Sequence, residues 1–510
     1  VSQQSASQRK GKKILIVIVL AMPLVFVAGW WLWEDVHGRM LWHQHKSYWE
    51  SVGRSYNLDE VLGPMPPAES NFAKSEWVKQ VLDDPEALEK ELKTWEYVYS
   101  LYTPSQIREA NDDLTVDPAL RFRLCYESGV PDVLVRRLNQ TPLTELKWER
   151  TDFEALALAL IDLEPLSQKL AHSLSRPNCH FPHDSYKLFI QEKGQIVRSN
   201  FDIIAPWIQL SAVENLHRGD RSRVLEDLFL LLRMTEVCGE IQTQASFYSA
   251  ANYLMFALKV IWEGLPNESA GGFTEAQLRE IDDRLAGIQL PVWAIAAVQA
   301  TQATLVRDTL AVLDDQGHAG EFLPSQMHAY KYSHRSERSF PVPKGYGYKH
   351  LTAFGIINEF QIADLEQVFD LSPAAGQTAN ERARHQFKSP PLGCRRRVLF
   401  LAHLASDGEM RHIQEFCAFH QHRVVLARFA IALELHRRSH GTYPKDLGEL
   451  GEELPTGSSE KWLRSLDWTY ETTGEQFEIR IDIPEDLRYW QKLNPDQYVW
   501  KWNSGNAREG

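Results

Sequence analysis

Cysteine is scarce in this 510-residue chain. Cys125, Cys179, Cys238, Cys394 and Cys417 are odd in number, widely spaced and form no C-x-x-C pair. That excludes a disulfide-dense mini-protein, and at most two disulfides can form within one chain. A basic excess is missing as well. The formal charge is −13, which argues against sequence-independent nucleic-acid binding, because such binding needs a basic surface to displace counterions. Catalytic signatures are also absent: there is no G-x-S-x-G, H-E-x-x-H or P-loop, and no G-x-G-x-x-G opening a helix after a strand. Gly345-Tyr346-Gly347 lacks the later glycine. These absences lower the expectation of an enzyme, and no cofactor is expected. The bulk composition is ordinary, with 44% apolar, 24% charged and 11% aromatic residues. A disordered chain and a collagen-like repeat are thereby excluded, and the length allows about two to four domains.

One long apolar run exists. Residues 14–33 read ILIVIVLAMPLVFVAGWWLW, without a charge. Twenty residues at about 1.5 Å each match a hydrocarbon core of about 30 Å, and Pro23 is tolerable in a bilayer helix. Arg9, Lys10, Lys12 and Lys13 precede the run, Glu34 and Asp35 follow it, and Trp30, Trp31 and Trp33 stand at its outer end. The positive-inside bias predicts a cytoplasmic tail (1–13), a single crossing (14–33) and an extracytoplasmic remainder. The competing reading is a cleaved signal with Val27 and Gly29 at its cleavage site. It is disfavoured by the missing A-x-A and by a run longer than a signal core. N-x-S/T occurs at Asn139 and Asn267, which matters only in a glycosylating host.

Beyond the anchor, the pattern predicts a mainly α chain: an array of antiparallel helices, with a solenoid as one possible arrangement, and a small C-terminal α+β cap. Residues 34–71 read as a juxtamembrane helix and a Pro-rich linker, broken at Gly63-Pro64-Met65-Pro66-Pro67. Residues 72–315 read as a helical domain. Within it, a helix capped at Thr151 or Asp152 is kinked at Pro165. Further helices run over about 185–217, 221–238, 241–263, 275–285 and 292–313. Arg218-Gly219-Asp220 is a tight turn between two of them, not an adhesion tripeptide. The unit around it resembles one helix-turn-helix of a tetratricopeptide-type repeat, without a sustained 34-residue period. Residues 316–393 are loop-rich with one helix at about 351–371. Residues 394–510 hold a long helix with a candidate break at Asp407-Gly408, then two strands around Thr472-Thr473-Gly474.

Two resemblances follow. RPNCHFPHDS with the helices to about 288, the anchor, and LARFAIALELHRRSHGTYPKDLGEL together look like an uncharacterised family of bacterial single-pass membrane proteins. That family implies an anchored helical architecture and no activity. Separately, Ala432 to Leu450, with Gly441-Thr442-Tyr443-Pro444 and Leu447, is similar to the helix-to-head junction of type II secretion pseudopilins. It departs from them in that a pseudopilin's own helix is its N-terminal membrane segment, whereas this anchor lies some 400 residues upstream.

Two clusters carry candidate chemistry. Cys179, His180, His183 and Asp184, with His172 upstream, are ligand types that zinc accepts. C-H-x-x-H is not a standard zinc spacing, however, and Pro177 and Pro182 mark an ordinary structural loop. The loop HAYKYSHRSERSFPVPKGYGYKH interleaves Tyr330, Tyr332, Tyr346 and Tyr348 with Lys331, Arg335, Arg338 and Lys344. Such a segment can bind a partner or an anionic polymer, lie on a membrane, or pack as a crossover. On the last long helix, His412, Glu415, Cys417 and His420 lie within three turns, and His436 and His440 sit near its end, where the helix dipole favours imidazolium. The reading that joins these observations is a membrane-anchored extracytoplasmic scaffold that binds a protein partner of the cell envelope. The alternatives are a metal-assisted hydrolase using His180, His183 and Asp184, and a pseudopilin-like secretion component.

Overall fold

A computed structural model describes residues 2–83, 164–181, 186–187, 190–265, 272–316, single positions between 348 and 366, 394–453, 467–473, 476–482 and 499–503. Its helices are α1 (Ser2–Ser51), α2 (Leu58–Leu62), α3 (Glu76–Asp83), α4 (Glu164–Leu174), α5 (Glu192–Arg218), α6 (Arg221–Glu240), α7 (Gln244–Gly264), α8 (Glu275–Ala286), α9 (Leu290–Gln316) and α10 (Cys394–His440). Strands β1 (Tyr186–Lys187) and β2 (Ile190–Gln191) pair as a minute hairpin. Strands β3 (Asp467–Thr472), β4 (Gln476–Asp482) and β5 (Val499–Asn503) form an antiparallel meander. The chain is mainly helical, and it divides into two compact units.

The first unit contains α1, the last residues of α9 from Gln302 onward, helical residues between 348 and 361, and α10 up to Met410. Residues 14–33 lie within α1, which runs through Pro23. Over its described part, Met22, Val25, Phe26, Val27, Leu32 and Trp33 are exposed. About two and a half turns beyond Trp33 the character reverses: Trp42, His45 and Trp49, at i, i+3 and i+7, are buried on one face. The side chains of residues 14–20 and of Leu24 lie outside the described set, and among the described residues no helix is long and apolar enough to cross a membrane.

The second unit is built on α5, α6 and α7, each of which packs on the other two. Helix α5 ends where Gly219 adopts φ +77°, a left-handed conformation that glycine adopts without steric cost. Asp220 then caps α6 by accepting from the Arg223 N–H at 3.2 Å. The predicted tight turn at 218–220 is thus a helix stop followed at once by a helix start. Thr243 caps α7 through the Ser246 N–H, and Thr274 with Gln277 forms a capping box on α8. An aromatic stack of Phe72, Trp77, Phe201 and Tyr253 joins α3, α5 and α7, with successive centroids 5.7–6.1 Å apart. Each such fully buried ring contributes about 1.5–3 kcal/mol. Gly239 lets α6 approach the Trp293 ring of α9 so closely that a β-carbon there would overlap it.

Three expectations need correction. Helix α5 starts at Glu192 instead of about 185, because Tyr186–Lys187 and Ile190–Gln191 pair as short strands; Tyr and Ile favour extended backbone. Helix α10 is unbroken through Asp407-Gly408, since one helical glycine costs only about 1 kcal/mol. A third strand, β5, completes the C-terminal sheet. The described part of the helix expected from Thr151 begins at Glu164, with Pro165 in its first turn, where proline is accepted. The Thr151 and Asp152 caps lie outside the described residues.

The C-terminal part of α10 is buried on all sides, and its charges are matched in place. Arg428 makes a two-pronged pair with Asp282 of α8, at 2.7 and 3.1 Å. Arg438 donates to Glu434 at 2.8 Å and to the carbonyls of Phe273 and Leu265 at 2.6 and 3.3 Å. Together with the Phe273 N–H donating to the Gly264 carbonyl, Arg438 holds the end of α7 beside the approach to α8. After Gly441 (φ +83°) the chain turns, and Tyr443 is buried edge-on to Phe477 of β4, centroids 4.9 Å apart. Tyr470 of β3 donates to the Pro444 carbonyl at 2.9 Å. The meander is therefore fastened to the end of α10.

Candidate functional site

The segment holding Cys179 and His180 is pinned from both sides. Asn71 grips it by accepting from the His180 N–H at 2.9 Å and donating to the His180 carbonyl at 2.7 Å. Phe72 and Asn178 add a backbone bond of 2.7 Å. On the other side Arg233 of α6 donates to the carbonyls of Leu174 and Arg176, at 3.1 and 2.9 Å, and to Glu236 and Glu240. Glu240 in turn accepts from the Cys179 N–H at 2.5 Å.

The Cys179 thiol is buried. Burial first, then the Glu240 carboxylate, push its pKa well above the ordinary thiol range. A thiol held protonated is neither a ready metal ligand nor a nucleophile. Cys238 and Cys417 are likewise buried, free and shifted upward by burial. His172 is exposed, while His183 and Asp184 lie outside the described residues. Among the described residues no three ligand-type side chains gather about a common point.

The basic-aromatic loop lies largely outside the described residues, including Tyr330, Lys331, Tyr332, Arg335, Arg338, Lys344 and Tyr346. Its last part is described. Lys349 pairs with Glu34 of α1, and the Arg39 guanidinium sits over the Tyr348 ring, 5.6 Å from its centroid. Both contacts lie in the first unit and join the end of the loop to the turns of α1 that follow residues 14–33.

Sequence reasoning missed a buried polar cluster in this unit. His45 Nε2 and the Tyr56 hydroxyl are 2.6 Å apart, and Gln302 of α9 donates to the same hydroxyl at 3.0 Å. Trp42 and Trp49 enclose them, with Trp49 stacked on Tyr56 at 5.5 Å. Burial, followed by the negative Glu359, drives the Tyr56 pKa above its ordinary value. Gly355 lies against His45 and Tyr56 where a β-carbon would collide with both. The signal was present in the WHQHKSYW stretch, as Trp42, His45 and Trp49 at helical spacing. Tyr56 stands eleven residues beyond His45, but Gln302 and Gly355 lie about 250–310 residues away in sequence, and nothing local announces them.

In the second unit, α10 buries His420, Gln421, His422 and Arg423 consecutively. Arg423 lies over the Phe419 ring at 4.0 Å and against the Met255 sulfur at 3.0 Å. Burial, then the nearby Arg423, lowers the His420 pKa. Burial lowers that of His422 to about 4, although its Nδ1 bonds the Ala418 carbonyl. Both imidazoles are therefore neutral at physiological pH and serve packing. The side chains of His412 and Glu415 lie outside the described residues.

No family model, no curated protein and no solved structure matches the chain.

Proposed function

We propose that the chain is a membrane-anchored helical scaffold that acts by binding a protein partner of a bacterial cell envelope. The observation that carries the reading is the apolar flank of α1, where Met22, Val25, Phe26, Val27, Leu32 and Trp33 face outward on a helix that spans 14–33. Exposed apolar side chains in such a continuous series call for a covering medium. The charge-free run, the basic residues before it and the tryptophans at its far end fit a bilayer. In this reading the tail before residue 14 is cytoplasmic, and everything after Trp33 lies across the inner membrane.

The contacts of Lys349 with Glu34 and of Arg39 with Tyr348, on the turns of α1 that follow residues 14–33, support a position for the end of the 328–350 loop near the proposed membrane surface. That loop is the proposed partner-contact segment. The hydrolase alternative draws little support, because Cys179 and the His180 backbone are taken up in packing. A pseudopilin-like role keeps one specific support, the seating of the meander on the helix end through Tyr443, Phe477 and Tyr470.

The test is cross-linking mass spectrometry on native membranes containing the affinity-tagged full chain. Partition into the alkali-resistant membrane fraction and reproducible cross-links from Lys331, Lys344 or Lys349 to one envelope protein are expected. Release by alkali would remove the anchor. A membrane-bound chain whose cross-links are all internal would remove the scaffold role.

A further inference from the structure

The buried cluster of the first unit has the parts of a redox site. His45 Nε2 and the Tyr56 oxygen stand 2.6 Å apart, at the short end of the hydrogen-bond range and within reach for proton transfer. Gln302 donates its amide N–H to the same oxygen at 3.0 Å. With one lone pair so occupied, the phenol directs its own proton to the imidazole, and Nε2 is the acceptor. Both side chains are shut off from water, with His45 4% and Tyr56 5% exposed. Burial, then the negative Glu359, keep the phenol protonated through the physiological range.

Removing an electron from such a phenol alone would leave a positive charge that no water solvates, so the O–H proton leaves with the electron. The imidazole is in place to take it across a hydrogen bond already formed. The imidazolium that results lies in the field of Glu359, which offsets its charge. The electron has a route out through the neighbouring rings. Trp42 and Trp49 lie against Tyr56, with centroids 5.0 and 5.5 Å away. The Arg54 guanidinium sits over Trp49, 5.1 Å from its centroid, and disfavours a positive hole on that ring. Trp42 is therefore the better exit. It stands on the same helix as Trp33, about 13.5 Å along the axis at 1.5 Å per residue, and Trp33 is 62% exposed.

We propose that Tyr56 and His45 form a redox site that intercepts one-electron oxidants of the oxygen-centred radical class. The oxidant takes one electron from Trp33 and becomes its anion, as a peroxyl radical becomes the corresponding peroxide anion. The hole passes to Trp42 and then to Tyr56. There the O–H bond breaks, the proton binds His45 Nε2, and a neutral tyrosyl radical remains. A phenol that sheds its proton is easier to oxidise than an indole that keeps its own, so the hole stops at Tyr56. This activity is separate from the scaffold role and independent of whether the chain is anchored.

The experiment uses the full chain in detergent, with flash-generated ruthenium(III) tris-bipyridine as the oxidant and rapid freezing for paramagnetic resonance. The wild type should show a neutral tyrosyl radical that decays about tenfold more slowly than those of solvent-facing tyrosines. Tyr56→Phe keeps the ring and removes the hydroxyl; it should lose this slow signal with its circular dichroism unchanged. His45→Gln keeps a polar partner but no base. Since a positioned base contributes about 10²–10⁴-fold, the slow signal should fall at least about tenfold while a tryptophan radical accumulates. A merely structural role for His45 would leave the identity of the radical unmoved. A slow signal equal in wild type and Tyr56→Phe would overturn the proposal, as would one undiminished in His45→Gln. So would its absence from the wild type.

Discussion

Asp227 offers the sharpest test of the packing in the second unit. It lies in α6, 2% exposed, and accepts hydrogen bonds from Ser211 at 2.7 Å and from Asn215 at 3.3 Å, both on α5. Burial outweighs these bonds and the nearby Arg223, and with a small contribution from Glu164 it raises the carboxyl pKa from 3.8 to about 7. A folded pKa above the unfolded one means that the native state binds the proton more tightly. Between about pH 4 and pH 7 the unfolded chain holds fewer protons, so stability falls as pH rises through this window and is lowest above it. At about 1.36 kcal/mol per unit, the full penalty is on the order of 4 kcal/mol above pH 8.

Asp227→Asn keeps an acceptor for both Ser211 and Asn215 and removes the charge. Because a chain of two units need not unfold in one step, the appropriate assay is local: amide hydrogen exchange of peptides from α5 and α6, corrected for the intrinsic pH dependence of exchange. At pH 8 the variant should be protected more strongly than the wild type, by a factor of up to about 10³. At pH 5 the gap should shrink by at least tenfold. An equal gap at both values, or weaker protection of the variant at pH 8, would refute the assignment of a buried carboxyl that titrates near neutrality.

Other perturbations follow from the same geometry. Gly239→Ala drives a methyl group into the Trp293 ring and should lower stability by about 1–3 kcal/mol, read as a fall in Tm and in the near-ultraviolet dichroism of tryptophan. Glu434→Ala leaves Arg438, 3% exposed, without its carboxylate and should cost about 3–5 kcal/mol by denaturant unfolding. Tyr443→Phe loses the hydroxyl and its 3.2 Å bond to Glu434 and should cost about 1 kcal/mol, with the ring contact to Phe477 retained. If the two substitutions prove equally damaging, Glu434 is not the hub of the helix end.

The helices were legible in the sequence because their signals are local. Asp220, Thr243 and Thr274 are capping residues directly ahead of apolar periodicity, and the observed helices start immediately after them. The alternation of Phe477, Ile479 and Ile481 announced β4 for the same reason. β5 also alternates, with Trp500 and Trp502 on either side of Lys501, but it is paired from about twenty residues away. The α10 interior was opaque for a different cause. Its polar residues carry no local sign of burial, yet they are buried because Met255, Asp282 and the carbonyls of Leu265 and Phe273 meet them. Those partners come from distant helices. In the same way, the Cys179 cluster has the composition of a metal site and the geometry of a clasp, and only the position of Asn71 and Glu240 distinguishes the two.

The guanidinium of Arg438 has a consequence for engineering. By bonding the carbonyls of Leu265 and Phe273 at once, it takes over the task of keeping the two ends of the 266–271 connection together. A connection relieved of that task can be lengthened cheaply, since each doubling of its length adds only about 0.6 kcal/mol of closure entropy. This stretch, which includes Asn267, is therefore the place in the second unit to graft an epitope or a fluorescent reporter. With such a graft the topology of the chain can be read in living cells while the helical packing stays undisturbed.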